Sequence, residues 1–175
     1  MTKKVYLISC SSSQSRIDPN EKREARFVYQ GQIFQKSYTY TRQIMESSDD
    51  LLILSSCLNH PVVAPNDMIT PYDSGNPANW TVNQKNKWAD AAFEALKKRY
   101  DLDKTEFIPV CNGTLVRILT SKYKSLFKEI LIEGNNRCEY PAKLNELINQ
   151  PACKCPDSSK CKHHTSCHPK EKQNL

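Results

Sequence analysis

The chain has 175 residues, 38% of them apolar and 25% charged, with 25 Lys+Arg against 19 Asp+Glu for a net charge of +6. That length suits one domain of about 100–150 residues with an appendage, and the apolar share suffices for one core. No apolar run approaches the roughly 18 residues of a bilayer span, which argues against a transmembrane protein, while the basic balance favours polyanionic partners.

Val5-Tyr6-Leu7-Ile8-Ser9-Cys10 predicts a buried strand running into the polar loop Ser11-Ser12-Ser13. This opening is too short and too soon polar for a secretory leader, so a cytoplasmic protein is expected. Turn-forming residues continue the loop through Asp18-Pro19-Asn20 to about Arg26. Phe34 to Glu46 reads as a helix with Tyr40, Ile44 and Met45 as its apolar positions. Leu51-Leu52-Ile53-Leu54 is apolar on both faces, the pattern of a central parallel strand. Ser55 to Asn79 contains Pro61, Pro65, Pro71 and Pro77 and predicts a long connection, a length usually kept for function.

Thr81 followed by Gln84 forms a capping-box pattern, and Trp88, Ala91, Ala92, Ala95 and Leu96 give the helix behind it an apolar stripe. Trp88 and Tyr40 take core-like positions and are assigned to packing. Phe107-Ile108-Pro109-Val110 predicts a strand and Asn112-Gly113 a turn. Leu115, Ile118 and Leu119 predict a helix face, Lys128-Glu129-Ile130-Leu131-Ile132 a further strand, and Leu144, Leu147 and Ile148 a last helix stopped by Pro151. The alternation predicts an α/β fold over residues 1–150: an open, mostly parallel sheet with helices on both faces. Residues 151–175 stand apart as a Cys/His-rich appendage.

Open α/β sheets bind ligands beyond the carboxyl ends of their strands. Three segments fall there: Ser9-Cys10-Ser11-Ser12-Ser13, Ser55-Ser56-Cys57 and Cys111-Asn112-Gly113-Thr114. Small hydroxyl, thiol and amide groups beside helix starts suit a phosphate or a flipped base. Cys10, Ser11 and Ser55 are the candidate substrate contacts on this rim.

Leu7-Ile8-Ser9-Cys10, Tyr29-Gln30-Gly31-Gln32-Ile33-Phe34-Gln35-Lys36-Ser37, Ile53-Leu54-Ser55 and Ile69-Thr70-Pro71-Tyr72-Asp73 follow one another in that order. The series resembles a group of poorly characterised bacterial and phage domains that open with I-S-C and carry Y-x-G-x-x-F-x-K-S and P-Y-D. Those domains are distantly similar to the YaaA peroxide-stress proteins, which bind DNA, and through them to the uracil-DNA-glycosylase-like group. The resemblance spans about residues 5–125 and implies an α/β domain that acts on DNA. Ser11-Ser12-Ser13-Gln14 stands where the family carries a basic residue, and Ser56-Cys57-Leu58-Asn59-His60 where it has A-K-H-G-L.

Cleaving an N-glycosidic bond calls for a carboxylate that steadies an oxocarbenium-like sugar and activates water. Asp73 is the candidate catalytic carboxylate, with Tyr72 beside it to stack on a base and Asn112 to read a base edge through its amide. Lys36, flanked by Phe34 and Tyr38, offers a cation to a phosphate. Cys10 is a possible nucleophile, but no histidine pairs with it in the sequence, and His60 is the only one in the first 150 residues.

Cys153, Cys155, Cys161 and Cys167 crowd into the last 25 residues with His163, His164 and His168, while Cys10, Cys57, Cys111 and Cys138 are scattered as small hydrophobes would be. The crowded set predicts a structural zinc held by the four thiolates, with one His replacing a Cys as the alternative and an iron–sulfur cluster as another. Five lysines against Asp157 and Glu171 make this knuckle basic, as nucleic-acid contact would want. The combined expectation is a cytoplasmic DNA-acting protein that excises a modified base. The alternatives are a non-catalytic DNA- or RNA-binding stress or phage–host protein and a small nucleotide- or nucleoside-processing enzyme.

Overall fold

A computed structural model describes residues 2–14, 18, 20–132 and 139–150. Its centre is a four-stranded sheet in the order β4-β3-β1-β6, built from β1 (Lys3–Ser9), β3 (Asp50–Leu54), β4 (Val62–Val63) and β6 (Thr105–Pro109). β1 runs parallel to both β3 and β6, and β4 joins β3 antiparallel. A separate two-stranded ribbon pairs β2 (Arg23–Glu24) with β5 (Met68–Ile69).

Strand side chains alternate between faces, and that period divides the core in two. Val5, Leu7, Leu52 and Leu54 pack under α3 (Val82–Arg99) and α4 (Thr114–Lys122), against Trp88, Ala92, Leu96, Leu115 and Leu119. Tyr6, Ile8, Leu51 and Ile53 face the other way, toward α1 (Ala25–Val28), α2 (Gln32–Ile44) and α5 (Glu139–Asn149), through Val28, Phe34 and Leu144. Helices therefore cover both faces of a mostly parallel sheet. No helix among the described residues is long and apolar enough to cross a membrane.

The capping box at α3 is complete: Thr81 Oγ1 accepts from the Gln84 N–H at 3.2 Å and Gln84 Oε1 accepts from the Thr81 N–H at 2.8 Å. Trp88 is buried, and its Nε1 donates to the Ser55 carbonyl at 2.8 Å, tying the helix to the end of β3.

Two expectations are corrected here. The connection from Ser55 to Asn79 contains β4 and β5, too short to show a period in the sequence. Residues 128–132 do run beside β6, but only isolated bridges form there. The N–H groups of Lys128, Leu131 and Ile132 donate to Phe107, Pro109 and Val110 at 2.8–2.9 Å. The three-residue step between the first two bonds falls opposite Pro109, which has no N–H to return, so a regular ladder cannot propagate.

The crossover from β1 to β3 carries α2 on one face, and that from β3 to β6 carries α3 on the other. They move in opposite directions across the sheet, as right-handed connections require. The chain leaving β1 and the chain leaving β6 thus part to opposite faces, which opens a mouth between their carboxyl ends.

A candidate functional site at the strand ends

The ends of β1 and β3 are closed by a hydroxyl network. Tyr72 OH lies 2.9 Å from Tyr29 OH and 2.8 Å from Ser55 Oγ, and Ser55 Oγ also accepts from the Cys57 N–H at 3.1 Å. Gln14 holds Tyr72 at two points: its Nε2 donates to the Tyr72 carbonyl at 2.9 Å, and its Oε1 accepts from the Tyr72 N–H at 3.1 Å. Ser74 Oγ donates to Ser56 Oγ at 2.6 Å, and Cys10 Sγ lies 3.8 Å from that same oxygen. Residues 71–75 are therefore clamped onto the sheet. Burial pushes the Tyr72 hydroxyl up to about 12 and raises the Cys10 thiol as well, so both keep their protons at neutral pH. Cys10 and Ser55 meet here as rim groups, while the Tyr72 ring stands edge-on to Tyr29 and His60.

The mouth between β1 and β6 is framed by two helix starts. Gly31 precedes α2, donates its N–H to Ser11 Oγ at 3.0 Å, and sits so close that a Cβ there would lie 2.5 Å from Ser11 Cβ. Gly113 precedes α4, where a Cβ would lie 2.6 Å from Ser9 Oγ. Both helices thus begin in direct contact with serines of the β1 end, an approach only glycine allows. Ser9 Oγ is itself buried with no hydrogen-bond partner among the described residues.

Asn112 and Lys36 converge on the start of α5. The Asn112 N–H donates to Tyr140 OH at 3.3 Å, and Lys36 Nζ donates to the Pro141 carbonyl at 3.4 Å. Ser37, next to Lys36, lies 3.5 Å from Cys111 Sγ through its hydroxyl. The Asn112 amide side chain makes no hydrogen bond to the described residues. Helix starts and the Lys36 ammonium give this side of the mouth a positive field.

Asp73 is exposed, and its Oδ1 accepts from the N–H of Gly75 at 2.9 Å, forming a turn beside the clamped Tyr72. Cys153, Cys155, Cys161 and Cys167, with the tail histidines, lie outside the described residues. Sequence reasoning passed over Tyr29, Gln14 and Ser74, whose roles depend on partners distant in the chain. It read Cys57 only as part of the rim and left His60 without a partner, whereas their Sγ and Nδ1 lie 3.6 Å apart. Their spacing of three residues within one turn was the available signal.

The model of a family of unknown function, DUF6884, matches residues 5–143. The chain belongs to the DUF6884 family. No curated protein and no solved structure matches it. In this DUF6884 domain the match runs from β1 into the start of α5, so every strand-end residue named above falls within it. The four tail cysteines lie beyond it.

Proposed function

We propose that the chain acts on DNA and cleaves the N-glycosidic bond of a modified base held at the strand ends. The observation that carries this reading is the parting of the chain at β1 and β6, since open α/β sheets bind ligands in the crevice formed there. The phosphate of one nucleotide lies against the start of α4 and the Lys36 ammonium, and the base edge meets the Asn112 amide, which offers both donor and acceptor. Cys10, Ser11 and Ser55 line the floor, and Tyr72 carries the neighbouring loop. Tyr72 is bonded to Ser55 at the end of β3, two strand spacings from β6, or about 10 Å. A nucleoside spans that gap with its sugar toward Asp73, whose carboxylate steadies the developing cation and activates water. The distant kinship with YaaA and uracil-DNA-glycosylase-like proteins belongs to the same reading. So does a structural zinc on Cys153, Cys155, Cys161 and Cys167, where four thiolates close a tetrahedron and leave no open position.

A second reading, binding to DNA without catalysis, is favoured by one observation: an Asp73 oxygen is already engaged by Gly75. Single-turnover base release separates the two, using oligonucleotides that each carry one deaminated, alkylated or hypermodified base. The parent protein is expected to leave abasic sites in one of them. Asp73→Asn keeps the turn and DNA affinity but lowers release by on the order of 100-fold or more. Salt-sensitive DNA binding with no abasic sites from any substrate supports the binder. Turnover of free nucleotides alone supports the small-molecule enzyme.

A further inference from the structure

Cys57 and His60 form a thiol–imidazole pair across the turn that leaves β3, with Sγ 3.6 Å from Nδ1. Cys57 is half-buried, and its main-chain N–H donates to the Ser55 hydroxyl at 3.1 Å. The imidazole is held edge-on to Tyr72 with ring centres 5.6 Å apart, and its Nε2 is buried with no hydrogen-bond partner among the described residues. Burial lowers the pKa of His60, which keeps the ring neutral near pH 7; with the proton on Nε2, Nδ1 presents its lone pair to the thiol. The main-chain N–H groups of Leu58 and Asn59, in the same turn, take no partner within the described residues. Among the described residues the other two thiols, Cys10 and Cys111, lie instead beside the hydroxyls of Ser56 and Ser37.

We propose that Cys57 is a nucleophile toward activated acyl groups, with His60 as its base and the Leu58 and Asn59 amides as oxyanion donors. The thiol proton passes to His60 Nδ1 as the sulfur bonds to the acyl carbon, and the carbonyl electron pair moves to oxygen beside those amides. Collapse of this adduct breaks the bond to the leaving group, which takes the proton back from His60 and departs, leaving a thioester on Cys57. Water, deprotonated by the same imidazole, then releases the acid and restores the thiol. The substrate class is a small ester or thioester. Neither Asp73 nor Asn112 enters this chemistry, so it stands or fails independently of the proposed action on DNA.

The test uses the full chain and p-nitrophenyl acetate, following phenolate release and mapping the acetyl group by peptide mass spectrometry. Acetyl is expected on Cys57 at a rate at least about 10-fold above that of free N-acetylcysteine at the same pH, as an activated nucleophile requires. His60→Gln lowers acetylation at Cys57 by about 100-fold, the usual scale for a lost general base. Peptide mapping keeps the other thiols from contributing to either number. Acetylation of Cys57 no faster than the free thiol overturns the proposal, as does an unchanged rate in folded His60→Gln. If that variant fails to fold, the comparison with N-acetylcysteine decides alone.

Discussion

The contact between Gly113 and Ser9 gives the sharpest test of how the strand-end mouth is built. Gly113→Ala leaves the backbone unstrained, because its φ is -72°. The new methyl nevertheless meets Ser9 Oγ at 2.6 Å and Ser9 Cβ at 3.1 Å. Overpacking of this kind costs about 1–3 kcal/mol, or about 2–12 °C in Tm for a chain of this size. Ser9→Ala alone acts in the other direction. It deletes a buried hydroxyl with no partner among the described residues, a group whose desolvation costs about 1–3 kcal/mol, so Tm should hold or rise. In the double variant only the 3.1 Å contact remains, which a shift of a few tenths of an ångström relieves. The pair should therefore couple by at least about 0.5 kcal/mol in a double-mutant cycle. Thermal and urea unfolding of the four proteins reads this directly. An unchanged Tm in Gly113→Ala, or strictly additive effects, would refute the close approach of α4 to β1. A loss of stability in Ser9→Ala would instead show that the hydroxyl has a partner in solution.

Two further outcomes follow from the same geometry. Tyr72→Phe removes the oxygen shared by Tyr29 and Ser55 and should cost about 1–3 kcal/mol in urea unfolding; a loss well below that range would mean that water replaces it freely. Elemental analysis of purified full-length protein should find about one zinc per chain, and stoichiometric iron or no metal would remove the zinc knuckle from the reading.

The strands that build the main sheet were readable where burial was continuous. Leu51 to Leu54 feed both halves of the core in alternation, and a run apolar on both faces is the imprint of that position. Thr81 and Gln84 were readable because a capping box is a local contract between residues three apart. Val62-Val63 and Met68-Ile69 were not, since two residues display no period, and prolines around them argue for loop. Tyr72 shows a different limit. An aromatic next to Asp73 suggests a stacking platform, but its hydroxyl is taken by Tyr29, 43 residues away, and by Ser55, 17 residues away. Such meetings are decided by the fold. The I-S-C motif draws attention to Cys10, whereas the turn after β3 makes Cys57, three residues beyond the strand's end, the thiol beside an imidazole.

The central place of β1 also bears on how the molecule assembles. Val5 aligns with Asp50 and Lys3 with Thr105, so the first strand finds one neighbour about 45 residues later and the other about 100 residues later. Neither pairing is local, and loop closure must precede both. A chain emerging from the ribosome holds an apolar, half-paired strand until residue 109 is available, and high contact order of this kind slows folding. Refolding should accordingly be slower than that of a helical domain of equal length. Truncations that stop before β6 should leave β1 with one edge open and prone to pair with other chains.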